Sequence, residues 1–192
     1  MKSVELFAGA GGLAMGCALA GFEAVAVVEW DKWACDTVRE NQARGYPLVK
    51  NWPLHEGDVR AADWSAAGDN VALVAGGPPC QPFSMGGKHK ANLDDRDMFP
   101  ATVGVVRQLR PKAFIVENVK GLTRATFANY YQYILLQLEL PEVPRRPKES
   151  WFEHLLRLQT EKSSGRRRAN GLTYTVMPTL VNAANYGIPQ RR

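Results

Sequence analysis

The apolar run Val71–Ala75 stops at Gly76-Gly77-Pro78-Pro79, and the next residue is Cys80. A short run of Val, Ala and Leu closed by glycine and proline predicts a buried strand that ends in a tight turn. The two prolines restrict the backbone there, and the two glycines let another group approach it closely. One thiol is thereby held in a fixed place at the end of a strand, which is how a nucleophile is presented.

The rest of the chain repeats the theme of a strand followed by a helix. Ser3–Ala8 reads as a strand, Gly9–Gly12 as a glycine turn, and LAMGCALAGF as a helix that stops near Gly21. Ala24–Val28 is a second strand, running into Glu29-Trp30-Asp31. Asp31 is a candidate cap for a helix to Arg44, in which Trp33, Cys35 and Val38 are the less polar positions. Pro47–His55 is loop-like, and Gly57-Asp58-Val59 follows. Pro100 predicts the start of a helix through Val103, Val106 and Leu109 that ends near Pro111. Ala113–Val116 is another buried strand, ending in Glu117-Asn118-Val119. Phe127–Leu140 is an amphipathic helix stopped by Pro141, and Ser150 with Glu153 forms a capping-box pattern for a further helix through Leu158. Leu172–Asn182 returns to strand-like composition, with Pro178 marking a kink or an edge. Alternation of this kind implies an α/β fold with a doubly wound, mostly parallel sheet covered by helices on both faces.

The 192 residues, 45% hydrophobic and 22% charged with net charge +5, suit one domain with a substantial core. The stretch 141–171 is expected to be a helical and loop insertion in that domain. No membrane-length apolar run or leader is evident, so a cytoplasmic protein is expected. Three cysteines without a CxxC spacing point to reduced thiols, with Cys17 and Cys35 in the core, and scattered histidines give no metal pattern. The mild positive charge permits a nucleic-acid partner.

The residues singled out all lie just past strand ends, where such sheets bind their ligands. The turn at Gly9–Gly12 allows close contact between backbone and ligand. The pattern Gly9-x-Gly11-x-x-Ala14 also satisfies the loose dinucleotide fingerprint, so a nicotinamide or flavin enzyme remains open at this point. The Glu29 carboxylate can accept hydrogen bonds from a ribose diol, and Trp30 offers a flat face for an adenine ring. Asp58 reads equally as a ligand contact, a turn residue or a helix cap. A carboxylate ending an apolar strand is costly if buried without a partner, so Glu117 is assigned a function.

The string GGPPCQPFS, together with ELFAGAGGL, ENV and QRR in the same order, resembles the motifs of the cytosine-5 DNA methyltransferases of restriction–modification type. The resemblance implies a Rossmann-like sheet of the S-adenosylmethionine-dependent methyltransferase type, with that molecule as cofactor and no metal. It places Phe7, Gly9, Ala10, Gly12, Glu29, Trp30, Asp58, Val59, Gly77 and Pro79 around the cofactor. Cys80, Glu117 and Arg192 become catalytic residues. Gln81, Ser84, Lys88, Arg96, Asn118 and Gln190 become contacts to double-stranded DNA or to the target base. The loop Met85–Asp97 would close over the DNA.

In the implied chemistry, a thiolate adds to carbon 6 of a flipped-out cytosine, Glu117 assists at ring N3, and carbon 5 then accepts the methyl group. The sequence stops at Arg192, before the last arginine of the QxRxR motif. The expectation is therefore a sheet incomplete at its C-terminal edge, no target-recognition region, and either a fragment or a subunit of a split enzyme completed by a second chain. The alternatives are a same-family RNA cytosine methyltransferase and a non-catalytic S-adenosylmethionine-binding or regulatory module.

Overall fold

The structure, a computed structural model, describes residues 1–79, 97–164 and 171–190. They fall into two compact units, one formed by Met1–Pro79 with Met98–Glu117, the other by the remainder of the chain.

The first unit is built on five strands, β1 (Lys2–Leu6), β2 (Glu23–Glu29), β3 (Leu54–Glu56), β4 (Leu73–Gly76) and β5 (Ala113–Val116). All neighbours pair in parallel, in the order β3-β2-β1-β4-β5. Parallel strands between helical layers read as continuous apolar runs, and β4 is buried along its whole length. Val4, Leu6, Val27, Val28 and Val74 are buried in the central strands, each contributing about 1.5–3 kcal/mol. One acid sits among them. Glu5 of β1 is 2% exposed and accepts a 2.7 Å hydrogen bond from Ser3 Oγ. Burial raises its pKa, and burial beside this carboxylate pushes the Cys17 thiol up to about 11.

Three helices belong to this unit. Helix α1 (Gly12–Leu19) leaves the glycine turn directly, with Gly11 in a left-handed conformation at its N-cap. Helix α2 (Lys32–Ala43) is capped by Asp31, whose carboxylate accepts from Ala34 N at 2.8 Å, as the sequence suggests. Helix α3 (Phe99–Leu109) starts with proline in its first turn. The chain moves from β1 through β2 to β3 in one direction and from β4 to β5 in the other. Right-handed crossovers then put α1 and α2 on one face and α3 on the opposite face, which is the doubly wound arrangement.

The second unit contains α4 (Ala128–Glu139) and α5 (Trp151–Ser163). Tyr130, Tyr133, Trp151 and His154 form a chain of tilted and edge-on ring contacts between these helices. His154 is 1% exposed, with Nδ1 2.9 Å from Tyr133 Oη and Nε2 2.8 Å from Val143 O. A carbonyl can only accept, so Nε2 carries the proton and Nδ1 accepts from the tyrosine. The capping box read from Ser150 and Glu153 is present in both directions.

Three sequence expectations need correction. The stretch 47–55, read as loop, contains the start of β3, whose three residues are too few to show a period. Trp33, read among the less polar positions of α2, is exposed and lies under Lys32 Nζ, 5.3 Å from the ring centroid, while Cys35 and Val38 face the core. Leu172–Asn182 forms no strand. Its composition favours one, but strand propensity is realised only against a pairing neighbour, and Met177, Leu180 and Val181 are exposed.

Candidate active site

Register brings the strand ends to a common edge. Leu6 pairs with Val28 on one side and with Gly76 on the other, Gly76 pairs with Val116, and Glu29 pairs with Glu56. The residues that follow, Phe7, Gly57, Gly77 and Glu117, therefore leave the sheet along one rim. The chain direction reverses between β1 and β4, so the crevice above these two strands is the switch point where open α/β sheets take ligands.

The glycine turn at this point is tightly specified. Phe7 has φ 52°, Gly9 φ 55° and Gly11 φ 97°. A left-handed conformation at a non-glycine residue costs about 1–3 kcal/mol and tends to mark ligand sites. A Cβ built on Gly9 or Gly12 would meet nothing within 4 Å, so the turn is open there. At Gly11 it would sit 2.6 Å from Cζ3 and 2.8 Å from Cη2 of Trp52, so the turn is packed there. An open cradle with a packed underside fits an adenosyl cofactor lying across the backbone.

Glu29 ties this turn to β2. Its Oε2 accepts from Gly9 N at 2.7 Å, and its Oε1 accepts from Trp30 N at 2.8 Å and Asp31 N at 2.7 Å. A carboxylate offers about four lone-pair sites, so one remains free. The sequence suggested that Glu29 could receive both hydroxyls of a ribose. With three main-chain N–H groups on this carboxylate, one hydroxyl would have a free site and a second would have to displace a main-chain N–H. Trp30 beside it is 70% exposed and presents an open ring face.

Asp58 takes the capping role that the sequence left open. Its carboxylate accepts from Arg60 N at 2.8 Å and pairs with the Arg60 guanidinium, whose hydrogen bonds hold its pKa down. Val59 after it is buried, whereas Ala10 and Pro79 are exposed.

The two glycines after β4 serve different neighbours. A Cβ on Gly76 would lie 2.7 Å from Leu6 O, so Gly76 lets β1 and β4 approach. A Cβ on Gly77 would lie 3.1 Å from Glu117 Oε2. Glu117 N donates to Gly76 O at 2.9 Å, which anchors the residue to the end of β4. The premise that Glu117 is a buried charge in need of a partner does not hold, because the residue is exposed. Strand β5 is only partly covered, with Ala113 and Ile115 exposed. The case for Glu117 rests on position: its carboxylate stands against Gly77, three residues before Cys80 in the sequence.

Asn118 and Gln190 belong to the second unit. Asn118 is half-buried, with Oδ1 accepting from Val119 N at 2.9 Å, and Gln190 is exposed. Cys80, Gln81, Ser84, Lys88, Arg96 and Arg192 lie outside the described residues, as does most of the stretch expected to close over DNA. Among the described residues, no group of His, Cys, Asp and Glu could hold a metal, and no helix is long and apolar enough to cross a membrane. Trp52 was hidden in the stretch read as loop. A large apolar ring in a short connection between two elements is a burial signal that could have found it.

Residues 1–140 match the family of C-5 cytosine-specific DNA methylases. Among curated proteins, the type II methyltransferase M.NgoMIV of Neisseria gonorrhoeae is 42% identical over 135 residues, spanning 70% of this chain and 41% of that protein. The type II methyltransferase M.AquIA of Picosynechococcus is 32% identical over 199 residues, spanning all of this chain and 68% of that protein. Among solved structures, one described as a candidate DNA modification methyltransferase of an E. coli prophage superposes with a TM-score of 0.54 at 27% identity, over 70% of this chain and 37% of its own. This chain spans 41% and 31% of the length of M.NgoMIV and of the Psychrobacter methyltransferase M.PspPI. The family match covers all five strands, the glycine turn, Glu29 and Glu117. The chain belongs to the C-5 cytosine-specific DNA methylase family.

Proposed function

We propose that this chain transfers a methyl group from S-adenosylmethionine to carbon 5 of a flipped-out cytosine in double-stranded DNA, through a covalent adduct on Cys80. One observation carries the reading. The end of β4 brings Gly77 against the Glu117 carboxylate on the same rim as the open glycine turn and Glu29. On this reading the residues that would bear an adenosyl group and the carboxyl that would pair with a base edge follow strand ends on one rim, and the sequence supplies a thiol directly after Pro79.

Phe7 and the open backbone at Gly9 and Gly12 would bear the cofactor, Glu29 would accept a ribose hydroxyl, and the Trp30 face would stack on the adenine. The cofactor supplies an electrophilic methyl group on a sulfonium. Everything else is asked of the protein. Carbon 5 of cytosine is a poor nucleophile while the ring is aromatic. The Cys80 thiolate forms a bond to carbon 6, and the ring electrons shift to make carbon 5 enamine-like. The Glu117 carboxyl donates its proton to ring N3 while its other oxygen accepts from the exocyclic amino group, which neutralises the charge that addition places on the ring and selects cytosine. Once carbon 5 carries the methyl group, loss of its proton to a base restores the double bond and expels the Cys80 sulfur. The base must leave the duplex to reach such a rim.

The test is methyl transfer from labelled S-adenosylmethionine into duplex DNA, with 5-methylcytosine identified by mass spectrometry. Label appearing in the DNA and lost in Cys80→Ser and Glu117→Gln supports the reading. Label confined to RNA replaces the substrate, and cofactor binding with no transfer to either, even with a second chain carrying the expected target-recognition region added, favours a binding module.

A further inference from the structure

The glycine turn is tied to β2 by two polar contacts, Gly9 N to Glu29 Oε2 and Ala8 N to Val28 O at 3.2 Å, and it also meets one aromatic ring. Gly9 is fixed by Glu29, as described above. At Gly11 the turn meets the Trp52 side chain: the Gly11 main chain lies against the far edge of that ring, so closely that no side chain fits between them. Gly11 is also where the turn becomes a helix. Its N–H donates to Ala8 O at 2.9 Å, and its carbonyl accepts from Met15 N at 2.8 Å to open α1.

Trp52 is itself rigidly placed. It is 7% exposed and packs with Ala14, Val27, Val38 and Val49. Its carbonyl accepts from Gln42 Nε2 of α2 at 2.8 Å, and its N–H donates to Val49 O at 3.0 Å. The neighbouring Ala10 borders a cavity of about 200 Å³, lined also by Met15, Val38, Asn41, Tyr46 and Val49, so beside the Trp52 contact the turn lies over open space.

We infer that Trp52 is a positioning residue for the cofactor turn: the edge of its indole sets the height of the Gly11 main chain, and through it the affinity of the open Gly9–Gly12 surface for an adenosyl cofactor. This rests on the functional reading above for the identity of the ligand. The geometry of the contact does not depend on it.

The experiment measures S-adenosylhomocysteine binding by calorimetry and the melting temperature for wild type, Trp52→Leu, Gly11→Ala and the double variant, with Val27→Ala as a control. Leucine fills much of the core space but is too short to reach Gly11, whereas Val27 belongs to the same cluster from within β2, where it pairs with Glu5. Trp52→Leu weakens binding about tenfold at a temperature where the variant is folded, because a displaced turn misaligns every backbone contact it makes. Val27→Ala lowers the melting temperature and leaves binding within about twofold of wild type. Gly11→Ala binds worst of the single variants, and the double variant loses at least about fivefold less than the product of the single losses, since the ring that collides with the new methyl is gone.

Unchanged binding in Trp52→Leu, equal weakening in Val27→Ala, or losses that simply multiply would overturn the inference. A wild-type chain that binds no S-adenosylhomocysteine defeats the functional reading instead. The Trp52–Gly11 contact is then judged on melting temperatures alone, where strict additivity counts against it.

Discussion

Gly76 and Gly77 are adjacent and chemically identical, yet alanine at each should fail in a different way. At Gly76 the new methyl would stand 2.7 Å from Leu6 O and 2.9 Å from Leu6 Cβ. Leu6 is 1% exposed in a central strand, so neither atom can yield without parting β1 from β4. Overpacking of this kind costs about 1–3 kcal/mol or more. At Gly77 the methyl meets the Glu117 carboxylate at 3.1 Å, and this exposed side chain can retreat by a few tenths of an ångström. Stability should then change by about 0.5 kcal/mol or less. A displacement of about 1 Å in a reacting group can cost about a hundredfold in rate, so a few tenths should cost about five- to tenfold. The pair is measured by urea unfolding and by the rate of methyl transfer to duplex DNA. The expected result is Gly76→Ala destabilised, and Gly77→Ala stable but slow. A Gly77→Ala variant that transfers methyl at the wild-type rate, or unfolds as easily as Gly76→Ala, would refute the placement of Glu117 by Gly77.

Other consequences follow from named contacts. Burial holds the His154 pKa below its ordinary value and keeps the ring neutral between Tyr133 and Val143. Its contribution to stability is therefore complete above about pH 6.5 and lost as pH falls through the lowered folded value. Urea midpoints between pH 8 and pH 5 should show this slope, and His154→Gln should flatten it. The Arg157 guanidinium, bonded to both Glu149 oxygens at 2.7 Å, holds that carboxyl down at about 2. Stability from this pair is present above about pH 4.5 and lost on descent towards pH 2, and Arg157→Met should cost about 1.5–3 kcal/mol by chemical unfolding at pH 7. Ser150→Ala removes one side of the capping box of α5 and should cost about 1 kcal/mol in the same assay. Glu29→Gln turns an acceptor of three main-chain N–H groups into a side chain with a donating end, and calorimetry should show cofactor affinity falling about tenfold or more.

Local signals in the chain carried most of the fold. Asp31, Ser150 with Glu153, and Pro100 each marked a helix start because capping and proline effects act within a few residues. Ala113–Val116 was legible as a strand from its short apolar run, although the strand is only partly covered, and Cys17 and Cys35 lie in the core as their helical patterns implied. The misses were non-local. Strand β3 was too short to show a period, and Leu172–Asn182 had the composition of a strand without a neighbour to pair with. The rim could be foreseen because acids and glycines follow apolar runs. That Glu117 is exposed, that Asp58 spends its carboxylate on Arg60, and that Trp52 fills the space under Gly11 all depend on residues far apart in the chain. Periodicity does not encode such distances.

The central claim is that Cys80 attacks carbon 6 of a cytosine presented at this rim. Duplex DNA carrying 5-fluorocytosine at methylatable positions tests it most directly, because after methyl transfer a carbon–fluorine bond stands where the departing proton should be, and the adduct cannot resolve. Incubation with S-adenosylmethionine should leave a covalent protein–DNA species that survives denaturation. Peptide mass spectrometry should place the methylated base on Cys80, and Cys80→Ala should abolish the species. An adduct on Cys17 or Cys35, or one that persists in Cys80→Ala, would contradict the account.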